Sequence, residues 1–165
     1  MKRYILLIIA IMITLFFVSS MSYQQQTIVP SLQQVLADKP FEGLLSKIEV
    51  TYWGQTISVE TRGYYHFVEF LIRKASHFVG FGLIGIIIYL LYRKLNIKYA
   101  ALFAVISTFF IASIDEFHQT FVPGRTGIFN DVLLDTAGAF TLIILFKVIQ
   151  LVTKKLMKEI SICRS

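Results

Sequence analysis

Four apolar blocks, at about residues 4–21, 75–92, 99–114 and 128–150, constrain this chain more than any other feature. Crossing about 30 Å of hydrocarbon takes roughly 20 residues, and a segment in lipid must satisfy its own backbone hydrogen bonds. The blocks therefore predict an all-α integral membrane protein, a four-transmembrane-helix bundle. The two central blocks are short by that measure, and tilt, local thinning or amphipathic ends must make up the difference. Composition agrees: 56% of residues are hydrophobic and only 16% charged, where a soluble domain is about a quarter charged. A chain of 165 residues predicts one domain, residues 1–165.

The first block follows Lys2-Arg3 and ends in Ser19-Ser20-Met21-Ser22, the layout of a signal peptide. Its apolar run is long and its cleavage signal poor, so a retained helix is expected. Four spans put both termini on one side, and the positive-inside rule selects that side. Lys2 and Arg3, then Arg93, Lys94 and Lys98, then Lys154, Lys155, Lys158 and Arg164 all fall together. Cytoplasmic N- and C-termini follow. The loop between spans three and four then faces outward, with Arg125 among Asp115, Glu116 and Asp131.

The long external loop, 22–74, is patterned. Pro30-Ser31 suits the start of a short helix through Leu32–Leu36. Alternating apolar residues in 48–53 and 56–60 flank Gly54-Gln55 and predict a β-hairpin with a Gly-first, type II′ turn. A lone hairpin is marginal in water, so it should lie on the membrane surface or the helix ends. From Tyr64 the pattern turns helical and runs on into span two, where Gly80, Gly82 and Gly85 would let helices approach closely.

The net charge of +6 sits at helix flanks and the tail, where it reports orientation and anionic lipid. No basic face or motif for nucleic acid is present, and no nucleic-acid partner is expected. Cys163, the only cysteine, excludes an internal disulfide and reads as a free thiol. Glu116, His118, Asp115 and His77 could in principle offer metal ligands. With no His-Glu-x-x-His and no paired histidines, no metal is expected. Nucleotide loops and a serine nucleophile elbow are missing too, and no cofactor is expected.

Topology brings three polar groups to the outer face: Glu69, Arg73, Lys74 and His77; Asp115, Glu116, His118 and Gln119; and Arg125, Asn130, Asp131 and Asp135. Ionisable groups at the edge of hydrocarbon are costly and usually have partners or a job. Glu69, Arg73 and His77 are spaced by four, as are Asp131 and Asp135, so each set shares a helix face. Asp115 ends an apolar span against the negative end of the helix dipole and asks for a cation. A structural reading has Asp131 and Asp135 lock the helices through Arg125 and Arg73. Lys74 would then only snorkel, His118 would be a solvated loop residue, and His66 a surface residue.

Taken in order, Arg73-Lys74-Ala75-Ser76-His77-Phe78-Val79-Gly80-Phe81, Asp115-Glu116-Phe117-His118-Gln119, Pro123-Gly124-Arg125 and Asp131-Val132-Leu133-Leu134-Asp135-Thr136-Ala137-Gly138-Ala139 resemble the VanZ-like family of small bacterial multi-pass membrane proteins. The match covers about the last two thirds of the chain. Asp135 departs mildly, since such proteins often carry Asn there. The resemblance implies a cell-envelope protein, its best-known relative giving low-level resistance to the glycopeptide teicoplanin.

The leading expectation is a binding protein rather than an enzyme. Its outer-face pocket of Arg73, Lys74, His77, Asp115, Glu116, Gln119, Arg125, Asp131 and Asp135 would take an anionic headgroup, an envelope precursor or a lipoglycopeptide. Arginine matches phosphate or carboxylate bidentately. An alternative is an intramembrane enzyme on a lipid-linked substrate, with Glu116 or Asp131 as base and His77 or His118 as acid. A third is a structural bundle held by an ion-pair network. Membrane lipids are the expected partners, and the sequence does not set the oligomeric state.

Overall fold

The computed structural model describes residues 2–163, with side chains as far as Met157. The Cys163 thiol and the side chains of Lys158 and Arg164 lie outside the described residues. In chain order the elements are α1 (Lys2–Ser19), α2 (Tyr23–Gln26), α3 (Val29–Val35), α4 (Glu42–Leu45), β1 (Val50–Tyr52), β2 (Gln55–Ile57), α5 (Val59–Arg62), α6 (Tyr64–Lys94), α7 (Ala100–Gln119) and α8 (Phe129–Cys163). Among the described residues, α1, α6, α7 and α8 are long and apolar enough to cross a membrane. The protein is an all-α, multi-pass membrane protein.

The shortness of the central apolar blocks is resolved by helices that outrun them. At about 1.5 Å per residue, the 31 residues of α6 extend roughly 46 Å, well beyond about 30 Å of hydrocarbon. Its first turns, bearing Glu69, Arg73 and Lys74, therefore have room to stand above the apolar layer.

Helices α6, α7 and α8 form the core, and small residues set their spacing. A Cβ on Gly138 of α8 would stand 2.1 Å from the Phe78 carbonyl oxygen of α6, and one on Gly85 would stand 2.8 Å from the Ala139 Cβ. Ala104, Ala112 and Ala139 are completely buried. With no hydrophobic force between helices in lipid, such backbone approach is what holds them. Gly82 serves likewise, packed under Leu142, but Gly80 has nothing near it and is open. Leu83, Phe103, Phe110 and Phe140 face outward, which suits hydrocarbon. Helix α1 is attached most loosely, and Ser19 is its only buried residue.

The external segment is more ordered than its sequence pattern implied. The helix expected over Leu32–Leu36 forms as Val29–Val35, with Pro30 in its first turn. The hairpin forms too, but Tyr52 pairs with Gln55, so the turn is Trp53-Gly54 rather than Gly54-Gln55. Both residues have positive φ, 52° and 72°, which is the type I′ requirement rather than type II′. Helix α2 was not anticipated. Its signal was legible in Ser22-Tyr23-Gln24-Gln25, whose Ser22 and Gln25 form a reciprocal capping box.

Candidate functional site

The three polar groups meet at one end of the bundle, although their pairings differ from the simplest expectation. Asp131, near the start of α8, is held by Lys74 of α6 at 2.5 Å. The Tyr52 hydroxyl, carried by the hairpin, donates to the same Asp131 oxygen. Lys74 also lies 4.5 Å from the centre of the Tyr52 ring. Lys74 is thus a structural partner and not a snorkelling side chain. Asp135, fully buried, faces His77, with Nδ1 and Oδ2 3.4 Å apart. Among the described residues neither aspartate pairs with Arg73 or Arg125.

Those arginines take other partners. Arg73 reaches Glu69, one turn earlier, at 3.4 Å. Glu69 is buried and accepts from the Tyr23 hydroxyl at 2.8 Å and the Ile28 backbone N–H at 2.9 Å. One carboxylate therefore ties α2 and the start of α3 onto α6. Gln26 of α2 offers its amide oxygen to Arg73 at 3.0 Å and to Arg125 at 2.5 Å, while its Nε2 donates to the Val18 carbonyl. Two guanidinium groups share one neutral oxygen, and Arg125 Nε is buried with no partner among the described atoms.

On α7, Asp115 accepts from Gln119 Nε2 at 2.9 Å, an internal contact one turn along the helix. Glu116 accepts the Ile128 backbone N–H at 2.8 Å. That bond needs Gly127, where a Cβ would stand 2.2 Å from the Glu116 carbonyl oxygen. Among the described residues, the second oxygens of Glu116 and Asp135 are buried without a hydrogen-bond partner. His118 lies within α7, not a loop, and points away from the acids. It meets Ser20 Oγ at 2.9 Å and packs on the Phe16 ring of α1. His66 is exposed, as expected, with its Nδ1 3.9 Å from Glu69.

A cavity of about 190 Å³ opens over this arrangement, lined by Arg73, Lys74, His77, Gln119, Arg125 and Asp131, with Tyr23 and Tyr52 from the external segment. At roughly 30 Å³ each it has room for about six waters. Beside it, an apolar groove of about 540 Å³ runs between α1 and α6, lined by Ala10, Thr14, Val18, Gly80, Leu83 and Ile87. His77 borders both. Burial, and then the acceptor Asp131, push the Tyr52 hydroxyl above its ordinary pKa. Burial and Glu69 do the same for Tyr23. Burial, followed by the like charge of Arg73, pulls the Arg125 guanidinium down.

Sequence reasoning named Arg73, Lys74, His77, Asp115, Glu116, Gln119, Arg125, Asp131 and Asp135, and these gather at one end. It missed what the external segment contributes. Tyr52 enters the sequence reading only as part of the hairpin strand 48–53, and Gln26 is not singled out there.

Fold and site together define a multi-pass helical membrane protein with its buried acids gathered at one end of the bundle. The VanZ/LLP1 family model matches residues 4–150, and the chain belongs to that family. The match reaches beyond the last two thirds of the chain and takes in α1 and the external segment. No curated protein and no solved structure matches the chain. Membership fits a cell-envelope membrane protein of a group linked to glycopeptide resistance.

Proposed function

We propose that this protein binds an amphiphile bearing a phosphate-type anionic headgroup, an envelope lipid or lipid-linked precursor, at the outer face of the bacterial cell membrane. The observation that carries the reading is the junction at His77, where a small cavity rimmed by Arg73, Lys74 and Arg125 meets an apolar groove. A headgroup would replace Gln26 between the two arginines. An alkyl chain would lie along α1 and α6. Guanidinium groups favour a two-oxygen anion, and Arg125 Nε has a donor to spare. The cavity is too small for a whole lipoglycopeptide, since pockets for drug-sized molecules measure about 300–1,000 Å³. An effect on glycopeptide sensitivity would then arise through the lipid.

The orientation belongs to the same proposal. Arg93, Lys94, Lys98, Lys154 and Lys155 fall at the opposite end from the cavity, which the positive-inside rule assigns to the cytoplasm. The catalytic alternative has less support. His118 is turned toward Ser20, and Asp131 is already held by Lys74 and Tyr52.

The test is retention of a polyprenyl phosphate or an anionic phospholipid, against a zwitterionic one, by the full chain in detergent, read by native mass spectrometry. Arg125→Gln should weaken the anionic lipid about tenfold or more, as loss of one charged hydrogen bond implies, with the helical circular dichroism unchanged. Equal retention of both lipid classes, or no loss in Arg125→Gln, would reject the reading.

A further inference from the structure

The buried acids behind the cavity have a use that the basic rim does not explain. We infer that His77, Glu116 and Asp135 form a binding site for a divalent first-row transition metal, with zinc or manganese as the fitting ions. One donor atom comes from each of α6, α7 and α8, and the three donors all lie within 4.8 Å of one another. His77 Nδ1 and Asp135 Oδ2 are 3.4 Å apart. Donors held about 2.1 Å from a zinc ion stand roughly 3.4 Å apart across a tetrahedron. Closing the set around an ion therefore takes a movement of up to about 1.4 Å at Glu116.

Two further observations point to a ligand. Glu116 and Asp135 are 4% and 0% exposed, and each keeps one carboxylate oxygen with no hydrogen-bond donor among the described residues. A buried carboxylate left partly unsatisfied is expensive. The nearby cation Lys74 is already committed to Asp131. Two carboxylates and a neutral imidazole would offset the charge of a divalent ion. The remaining supports are in place: Glu116 is oriented by the Ile128 N–H, and the His77 ring stacks on Phe81 at 6.0 Å. Such contacts fix a ligand's aim.

The donor set also selects the ion. One imidazole with two carboxylates suits zinc and manganese. Calcium, which takes six to eight oxygens, is not provided for. His77 borders the polar cavity, which gives the ion an entry path and leaves a coordination position open toward it. The signal was invisible as a motif, because the three ligands are separated by long stretches of chain and join only through helix packing.

The experiment uses the full chain in detergent, stripped with chelator and titrated with zinc by calorimetry, with metal content measured by plasma mass spectrometry. One ion per chain is expected. Glu116→Gln and Asp135→Asn should each weaken it at least tenfold, while His66→Asn leaves it unchanged. As a reading that needs no variant, cobalt added to the stripped wild-type chain should give the visible bands of a low-coordinate nitrogen and oxygen site. No stoichiometric zinc and no cobalt bands would overturn the inference, as would zinc binding that survives both carboxylate variants or is lost in His66→Asn. The lipid reading stands or falls separately, through Arg125→Gln.

Discussion

The two ends of the α6–α7–α8 core are built on opposite principles. Toward the middle, contact is close packing at small residues, with Gly138 against the Phe78 backbone, Gly85 against Ala139 and Gly82 under Leu142. At the other end α8 meets α6 through the pairs Asp131–Lys74 and Asp135–His77, with Glu69, Asp115 and Glu116 buried beside them. Small-residue packing is rigid and unforgiving of added volume. The polar end depends instead on balanced charge, and it is finished by the hairpin and the short helix α2 from outside the bundle. The contrast teaches how each end contributes: close packing fixes the rotation of α8 on α6, and that rotation delivers the acids to their partners.

The sharpest way to break the contrast is to add one methyl group. Gly138→Ala would press a Cβ onto the Phe78 carbonyl, a backbone atom that cannot swing aside. A loss above about 3 kcal/mol, the top of the usual overpacking range, is expected in thermal melts in detergent. Gly80→Ala, in open space on the same stretch of α6, should stay within about 0.5 kcal/mol. Equal effects at the two glycines would show that the close approach is not what holds the helices.

At the polar end the largest effect is expected from charge. Lys74→Met leaves Asp131 buried beside only a tyrosine, and should cost about 3 kcal/mol, the low end for breaking a buried pair. The double variant Lys74→Met with Asp131→Leu should recover most of that loss. If the double variant is as unstable as the single one, the cost comes from packing and not from an orphaned charge.

A smaller effect belongs to the hairpin. Tyr52→Phe removes one hydrogen bond to Asp131 and should cost about 1.5 kcal/mol, the lower value for a bond to a charged group.

The smallest effect is in pH dependence. The Tyr52 and Tyr23 hydroxyls both titrate above their ordinary value in the folded protein, so the folded state holds these protons more tightly than the unfolded chain does. Their contribution is complete below about pH 10, the unfolded value, and is lost as pH rises through the folded values. Melts should therefore fall above about pH 10, and Tyr52→Phe should flatten that fall. A slope unaltered by Tyr52→Phe would remove this tyrosine from the account.

How far the sequence could be read follows the same division. The helical start at Tyr64, the four apolar segments and the gathering of acids at one end all rest on periodicity and topology, which one strand of text displays. The hairpin was legible, but its turn slipped by one residue. A glycine-first turn was inferred from Gly54, whereas Trp53 accepts a positive φ and takes the first position itself. Gln26 escaped because a neutral side chain in the external segment carries no signal until two arginines are seen to share it.

By itself, then, the order of residues determined a helical membrane protein with four apolar segments, and which ionisable groups share an end. Only the folded chain decided who pairs with whom: Lys74 with Asp131, His77 with Asp135, Arg73 with Glu69, and Gln26 between the arginines. The physical reason is rotation. Spacing by four tells which side chains share a face of one helix, but not toward which neighbour that face turns. Here the contact of Gly138 with Phe78, within a turn of Asp135 and His77 on their respective helices, sets that angle.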